Sequence, residues 1–107
     1  MATAAQMYDE ADKLKDAGKL DEAAAKLTEL LAADPDYSLA HSALAVIYTR
    51  LKRHDEAIQH ALRTCEIEPN DAFSFTALSV TFQRAGKIPE AEDAMARARM
   101  LQGGGCH

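Results

Sequence analysis

The sequence of 107 residues contains no tryptophan, and aromatic residues make up only 6% of it. Proline and glycine are also sparse, whereas alanine is abundant. A β-sandwich needs many β-branched and aromatic residues, so this composition favours closely packed helices. The chain is long enough to bury an ordinary hydrophobic core, and we expect one domain.

The two cysteines, Cys65 and Cys106, are too few for a disulfide framework. This usage is typical of a reducing compartment and predicts a cytoplasmic protein. Apolar runs of about 18 residues are missing, so we expect no membrane span and no membrane partner. Residues 1–6 have neither a basic start nor a hydrophobic segment, so we expect no secretory signal.

The formal net charge is −5, and the acidic residues are spread along the chain. Nucleic-acid binding requires a clustered basic face, so we expect no nucleic-acid partner. Patterns that support catalysis are also missing, because no serine has an evident base beside it and no glycine-rich phosphate loop occurs. His54 and His60 do not share one helical face. We therefore expect no enzyme activity, no metal and no cofactor.

One pattern occurs three times with a constant spacing. Ala23, Ala57 and Ala91 lie 34 residues apart, as do Glu22, Glu56 and Glu90, and Pro35 and Pro69 keep the same spacing. A fixed period of this length is typical of stacked helical units. Such arrays usually present a surface to another protein.

Each repeat has the pattern of a helix, a short turn and a second helix. In the first repeat this predicts a helix over residues 3–17, a turn at 18–20 and a second helix opened by Asp21, where negative charge suits the helix dipole. Asp34 and Pro35 end that helix, because proline cannot continue the hydrogen-bond ladder. The later repeats predict turns at 52–54 and 85–87, and second helices over about 55–67 and 89–101.

Positions that recur every 34 residues form columns when the three repeats are aligned. The residues in these columns resemble the motif of the tetratricopeptide repeat family. Its motif has a large residue, a leucine, a small residue and an aromatic residue on the first helix, then spaced alanines on the second helix and a proline after it. The second repeat supplies Leu44, Ala45, Tyr48, Ala57, Ala61 and Pro69, and the third supplies Phe75, Leu78, Ser79, Phe82, Gly86, Ala91, Met95 and Ala98. The first repeat matches less well, through Met7, Ala11, Leu14, Gly18, Ala23, Leu27 and Pro35.

The resemblance implies an all-α fold, an α-α superhelix or right-handed solenoid of three helix-turn-helix repeats with six helices. The repeats cover about residues 4–37, 38–71 and 72–101, within one domain of residues 1–102, and residues 103–107 form a flexible C-terminal tail. Glu10 replaces the leucine of the other repeats, so we expect that face of the first helix to contact water. Glu92 and Arg99 stand in columns that would receive a further repeat, so we expect the array to end there.

In the resembled family, the first helices of the repeats line a concave groove. The matching columns hold Ala5, Tyr8, Asp12 and Asp16 in the first repeat, Leu39, Ser42, Val46 and Arg50 in the second, and Phe73, Thr76, Val80 and Arg84 in the third. The apolar members, with Tyr8, form a patch that could accept an amphipathic helix or an extended peptide. The alternative is incidental exposure or the edge of the core.

Arg50 and Arg84 share one column and could hold a carboxylate of a peptide, although a solvated basic face is the alternative. Family members that capture chaperone C-terminal carboxylates use lysine, asparagine and arginine at five positions. Those positions hold Tyr8, Asp12, Ala43, Phe73 and Ala77 here, so we do not expect that ligand class.

The remaining residues with reactive or ligating side chains have structural explanations. We expect His41 to pack in the large-residue column and Cys65 to be an inert buried thiol. Cys106 and His107 lack a preorganised geometry for a metal. The predicted function is therefore a protein-interaction module, an adaptor or assembly unit that binds a partner peptide. The alternative is a structural unit that self-associates through its terminal helices, the last of which carries Met95 and Met100. We therefore expect a monomer or a weak homo-oligomer.

Overall fold

The computed structural model describes residues 2–103 of the chain. These residues form six α-helices and no strand: α1 (Ala4–Asp16), α2 (Leu20–Ala33), α3 (Ser38–Arg50), α4 (His54–Ile67), α5 (Ala72–Arg84) and α6 (Ile88–Gly103). The helices pack as three successive pairs in an elongated body of 48 × 27 × 21 Å. The predicted all-α helical repeat solenoid is thereby confirmed. Within the described part of the chain, no helix is long and apolar enough to cross a membrane.

Helices α1 and α5 begin after residues whose side chains accept a hydrogen bond from an amide of the first turn. Thr3 forms a capping box with Gln6, and the side chain of Asp71 accepts a hydrogen bond from the amide of Phe73 at 3.1 Å. Neither α2 nor α4 has a side-chain cap, but each carries two acidic residues in its first turn. These charges stabilise the positive end of the helix dipole.

The turn inside each repeat has the same hydrogen bonds. The amide of Lys19 donates to the carbonyl of Leu14 at 2.9 Å, and the equivalent bonds in the later repeats join Arg53 to Tyr48 at 2.8 Å and Lys87 to Phe82 at 2.9 Å. This hydrogen bond joins an amide to the carbonyl five residues before it, as in the Schellman C-cap. The motif requires the residue before the donor to adopt the left-handed backbone conformation. That residue is glycine in the first and third repeats and Lys52, with φ 64°, in the second.

The periodic alanines lie where two helices of one repeat cross. Ala23, Ala57 and Ala91 are at most 1% exposed, because their small side chains let the helix backbones approach closely. In the third repeat the Ser79 hydroxyl donates across this contact to the carbonyl of Ala91 at 2.8 Å. The column of small residues therefore sets the spacing within each pair.

The structure corrects several predicted helix bounds. The helices α2, α4 and α6 begin one residue earlier than predicted, so His54 is the first residue of α4 and not part of the turn. Gly103, predicted to start the tail, is the last residue of α6, and residues 104–107 lie outside the described residues. The assignment of residues 1–102 to one domain stays a prediction.

Both ends of the array carry the polar residues noted in the sequence. Glu10 is exposed and pairs with Lys26 at 3.2 Å. Glu92 and Arg99 are exposed on α6. At these positions the first and last repeats therefore present charged side chains to water, where an inner repeat would present an apolar contact.

Candidate functional site

A pocket of about 480 Å³ opens between α3 and α5, at the junction of the second and third repeats. Its walls include Val46 and Val80, which are 44% and 42% exposed. Its floor includes Ala61 and Thr64 of α4. The pocket therefore lies on the face formed by the first helices, where the groove was predicted.

Small side chains create this pocket. The residues 34 positions before Ala61 and Thr64 are Leu27 and Leu30, which are at most 1% exposed and fill the junction of the first and second repeats. Likewise Ile47 is 0% exposed, and the residue at the equivalent position of the second junction, 34 positions later, is the smaller Thr81. Replacement of large apolar residues by small ones leaves a space that the surrounding helices only partly close.

Hydroxyl groups line the pocket, but most of them donate to their own helix. Thr49 bonds to the carbonyl of Ala45 at 2.7 Å, and Thr81 bonds to the carbonyl of Ala77 at 2.9 Å. Thr64 donates to the carbonyl of His60 at 3.1 Å. Because these hydroxyl groups use their protons within their own helices, their oxygens keep acceptor capacity for a ligand.

One end of the pocket carries a cluster of basic side chains, Arg50, Lys52 and Arg84. Among residues 2–103, no aspartate or glutamate lines the pocket, and no carboxylate lies within salt-bridge distance of these three cations. His54 also lines it, and in the described part of the chain its Nδ1 is buried without a hydrogen-bond partner. The pocket is a positively charged site in a chain with a net charge of −5.

The predicted groove residues of the first repeat do not reach this pocket. Tyr8 is half-buried against Tyr37, with ring centroids 6.1 Å apart, and burial, then Asp12, raises the pKa of its hydroxyl. Asp12 pairs with Lys15 at 3.1 Å. This end of the face is closed by side chains that already contact each other.

Five of the ten predicted site residues come together in the pocket: Ser42, Val46, Arg50, Val80 and Arg84. Leu39 and Phe73 lie outside its lining and are 54% and 78% exposed, and Thr76 donates to the carbonyl of Ala72 at 3.0 Å. The assignment of all ten residues to a binding groove stays a prediction.

Sequence reasoning missed two groups of pocket residues. The first group lies on the first helices and comprises Ala45, Thr49, Ser74, Ala77 and Thr81, and the second lies outside them and comprises Lys52, His54, Ala61 and Thr64. A comparison of equivalent positions would have found the floor, because leucines at one junction become small residues at the next. The turn residues had no comparable signal.

A histidine pair lies between α3 and α4, outside the pocket lining. The imidazole of His41 is buried as predicted, and its Nε2 donates to the carbonyl of Pro35 at 2.8 Å. Its Nδ1 lies 3.0 Å from Nδ1 of His60, whose ring stacks on Tyr48 with centroids 5.7 Å apart. Because the Pro35 carbonyl can only accept, neutral His41 carries its proton on Nε2 and His60 donates to its Nδ1.

The third repeat has no ring in the place of His60. Ala94 stands there, and a shallow depression of about 310 Å³ remains between Phe75 and Phe82. Arg97 covers part of it, with its guanidinium 5.7 Å from the Phe75 centroid. This surface is therefore already occupied by a cation of the chain itself.

The thiol of Cys65 is buried, as predicted. Burial, then Asp71, raises its pKa to about 11, so the reactive thiolate is scarce at neutral pH. Among residues 2–103, no group of three or more histidine, cysteine or acidic residues is arranged to hold a metal ion.

A family model described as Tetratricopeptide repeat matches residues 8–72, which is more than half of the chain. The chain belongs to the tetratricopeptide repeat family. This confirms the resemblance seen in the repeated columns. No curated protein matches the sequence.

Solved structures show the same tetratricopeptide fold. A crystal structure of MamA matches with a TM-score of 0.87 and 20% identity, over 95% of this chain and 60% of the MamA chain. The second TPR of Spaghetti (RPAP3), bound to the HSP90 peptide SRMEEVD, matches with a TM-score of 0.82 and 20% identity, over 92% and 91% of the two chains. The type III secretion translocator chaperone SycD of Yersinia enterocolitica matches with a TM-score of 0.86 and 19% identity, over 97% and 79%. This chain thus spans less than two thirds of the MamA chain.

Proposed function

We propose that this tetratricopeptide domain binds a peptide segment of a partner protein on the face formed by α1, α3 and α5, as an adaptor or assembly unit of the cytoplasm. The observation that carries the proposal is the pocket between α3 and α5, whose walls are the exposed apolar side chains of Val46 and Val80. Apolar side chains beside a concave opening mark a contact surface. The proposed role is binding, without catalysis or a cofactor.

Similar structures support a peptide ligand in general but not the particular peptide that they hold. Both TPR domains of RPAP3 are described as bound to the HSP90 peptide SRMEEVD. In this chain Ala43 and Ala77 stand where the carboxylate-capturing pattern requires asparagine and arginine, and Asp12 adds a negative charge. We therefore propose a peptide ligand of another class.

The exposed apolar area predicts a modest affinity. Full burial of a side chain such as Val46, Val80 or Phe73 contributes about 1.5–3 kcal/mol. Association costs about 4–15 kcal/mol in translational and rotational freedom and in ordering. These contributions, with added backbone and charge contacts, correspond to dissociation constants in the micromolar range.

Selection from a library of random peptides of about 12 residues, displayed with both ends blocked, supplies a ligand for the test. The Kd of a selected peptide is then measured by fluorescence anisotropy for the wild-type protein and for the double variant Val46→Glu/Val80→Glu. We expect the double variant to bind at least about tenfold more weakly, because two carboxylates replace the apolar walls.

The matched control is Leu62→Glu/Ile88→Glu, which adds the same charge at apolar side chains that are 43% and 50% exposed outside the pocket lining. We expect it to bind like the wild type. Equal binding by the groove variant and the wild type would reject the proposed surface, and so would selection that yields no ligand whether the peptide ends are blocked or free.

A second candidate function is self-association through the terminal helices. Met100 of α6 is 65% exposed, and Ile88 at the start of α6 is 50% exposed. The similar SycD structure is described as an alternative dimer. If this function holds, the molar mass measured by light scattering rises with protein concentration and Met100→Glu abolishes the rise. A constant monomer mass would rule it out.

A further inference from the structure

We propose that the pocket between α3 and α5 selects an acidic peptide in extended conformation, taking one apolar side chain between Val46 and Val80 while Arg50, Lys52 and Arg84 hold an aspartate or glutamate two residues away. The inference rests on the proposed peptide-binding function and specifies its ligand class. It combines the shape of the pocket, its charge and the spacing between its apolar and basic ends.

The shape of the pocket fits a side chain or an extended segment. Its volume of about 480 Å³ lies within the range of about 300–1,000 Å³ that is usual for ligand pockets. It opens between α3 and α5, and Ala61 and Thr64 of α4 form its floor. An extended chain can lie along this opening, parallel to α3 and α5, and insert single side chains.

The charge of the pocket selects an acidic ligand. The whole chain has 17 acidic and 12 basic side chains. Three of the basic side chains nevertheless line this one pocket, and within residues 2–103 no acidic side chain joins them there. A cleft lined by one sign of charge concentrates ligands of the opposite sign, and guanidinium groups bind carboxylates through paired hydrogen bonds.

The spacing of the two ends predicts the spacing in the ligand. Val46 and Arg50 are one turn apart on α3, as are Val80 and Arg84 on α5, which separates their positions by about 6 Å along the helix. In an extended peptide, residues two positions apart point to the same side and are separated by about 6.6–6.8 Å. An apolar residue and an acidic residue two positions apart therefore match the valine and arginine pairs together.

Lys52 adds a positive charge to the pocket, although its backbone adopts an unfavourable conformation. Lys52 has φ 64°, and the equivalent residues of the other repeats are Gly18 and Gly86. A residue with a β-carbon is disfavoured in this conformation, whereas glycine is not. The second repeat thus carries a basic side chain at a turn position where its sister repeats carry none, and that side chain lines the pocket.

The recognition differs from the carboxylate-capturing pattern of other family members. That pattern requires basic or amide side chains at columns that hold Ala43 and Ala77 in the second and third repeats. The arginines here lie one helical turn beyond the valines, in the last turn of α3 and of α5. The ligand that we propose presents an internal acidic side chain, and a free C-terminus is not required.

The test uses the library of random peptides with blocked ends, because every acid that it offers is a side chain. We expect the selected sequences to share an apolar residue with an aspartate or glutamate two positions away. A selected peptide is then resynthesised with that acid changed to its amide, and we expect the Kd to rise about tenfold or more.

The protein variants carry a matched control. Arg50→Ala/Arg84→Ala removes the pocket pair, and Arg63→Ala/Arg97→Ala removes another arginine pair with the same spacing, outside the pocket lining. We expect the first variant to lose about tenfold or more in affinity and most of its salt dependence, and the control to retain both. Thermal unfolding curves establish that both variants are folded.

Some outcomes of the peptide selection would overturn only this inference, and one would also reject the proposed function. Selected peptides without acidic residues, or binding that is equal in both arginine variants, would overturn this inference while the peptide-binding function stands. Ligands found only in a library with free C-termini would also overturn it. If neither the library with blocked ends nor the library with free C-termini yields a peptide, both the inference and the proposed function are rejected.

Discussion

His41 and His60 join α3 to α4 through a contact that requires a neutral His41. The two Nδ1 atoms are 3.0 Å apart, and Nε2 of His41 is committed to the carbonyl of Pro35. A second proton on His41 would place two N–H groups against each other. The contact therefore requires a neutral His41, and it lies between the two helices of the second repeat.

Acid should weaken the fold through His60. Burial, then the neighbouring His41, lowers the pKa of His60 below its ordinary value of 6.5. The unfolded chain then binds this proton at a higher pH than the folded protein does. The contribution of His60 to stability is therefore fully present above pH 6.5 and is lost as the pH falls through its folded pKa.

The measurement is urea unfolding of the wild type and of His60→Ala at about pH 7.5 and about pH 5.5. Alanine is the residue at the equivalent position 94. We expect the free energy of unfolding to fall less between these pH values in the variant than in the wild type. An equal fall in both proteins would show that the histidine pair is not a source of acid sensitivity.

At the scale of helices and turns, the three repeats share one turn structure and differ at one residue of it. Each first helix ends in the same five-residue hydrogen bond, and only the second repeat places a residue other than glycine in the left-handed position. Sequence alone predicts these turns because of the glycines and the period. It does not predict the first residue of α4, because Arg53 precedes this helix without a side-chain cap that a pattern would reveal.

Replacement of Lys52 by glycine should stabilise the protein while it weakens ligand binding. Relief of the left-handed conformation contributes about 1–2 kcal/mol, and the entropy of glycine offsets about 0.5–1 kcal/mol of this. We expect a net gain of about 1 kcal/mol, which corresponds to a rise in Tm of about 4 °C. The reciprocal change Gly86→Ala should lower Tm, because it forces a β-carbon into φ +80°.

Differential scanning calorimetry of the two variants tests this balance. The affinity of Lys52→Gly for a selected acidic peptide is measured beside it, and we expect that affinity to fall. A variant that is less stable than the wild type would mean that the lysine at this turn contributes a stabilising contact instead of strain.

At the scale of the whole molecule, the two junctions between repeats are packed differently. Leu27, Leu30 and Ile47 fill the first junction, whereas small residues leave the second open. The period predicts the six helices and the columns that face the groove. It does not show which junction is closed, because that depends on the combined volume of side chains from α3, α4, α5 and the turn at Lys52.

Tyr8 illustrates the same limit. Its column faces the groove, yet its large ring packs against Tyr37 and belongs to the closed end of the face. The opposite case is Thr64, which lies on a second helix and reaches the groove only because its neighbours are small. Column membership predicts the direction of a side chain, and packing decides whether a ligand can contact it.

An exchange of residues between the junctions tests this account of the pocket. Thr64→Leu places in the pocket floor the residue that position 30 has in the first junction. We expect it to stabilise the fold by about 1 kcal/mol through added apolar burial and to reduce peptide affinity about tenfold. Leu30→Thr should instead destabilise the fold by about 2–4 kcal/mol through a new cavity.

Urea unfolding and anisotropy of both variants give the two readouts. Unchanged peptide binding by Thr64→Leu would contradict the assignment of the pocket floor. If Thr64→Leu lowers the free energy of unfolding, as Leu30→Thr is expected to do, the second junction has no space for a larger side chain.

The central claim is that a partner peptide binds between α3 and α5, and mapping of backbone amide shifts by NMR during titration with a selected peptide tests it most directly. The account predicts that the largest shifts cluster at Val46, Thr49, Val80 and Arg84, with small changes at α2 and α6. Shifts concentrated on α6 or on the Phe75 surface would contradict it.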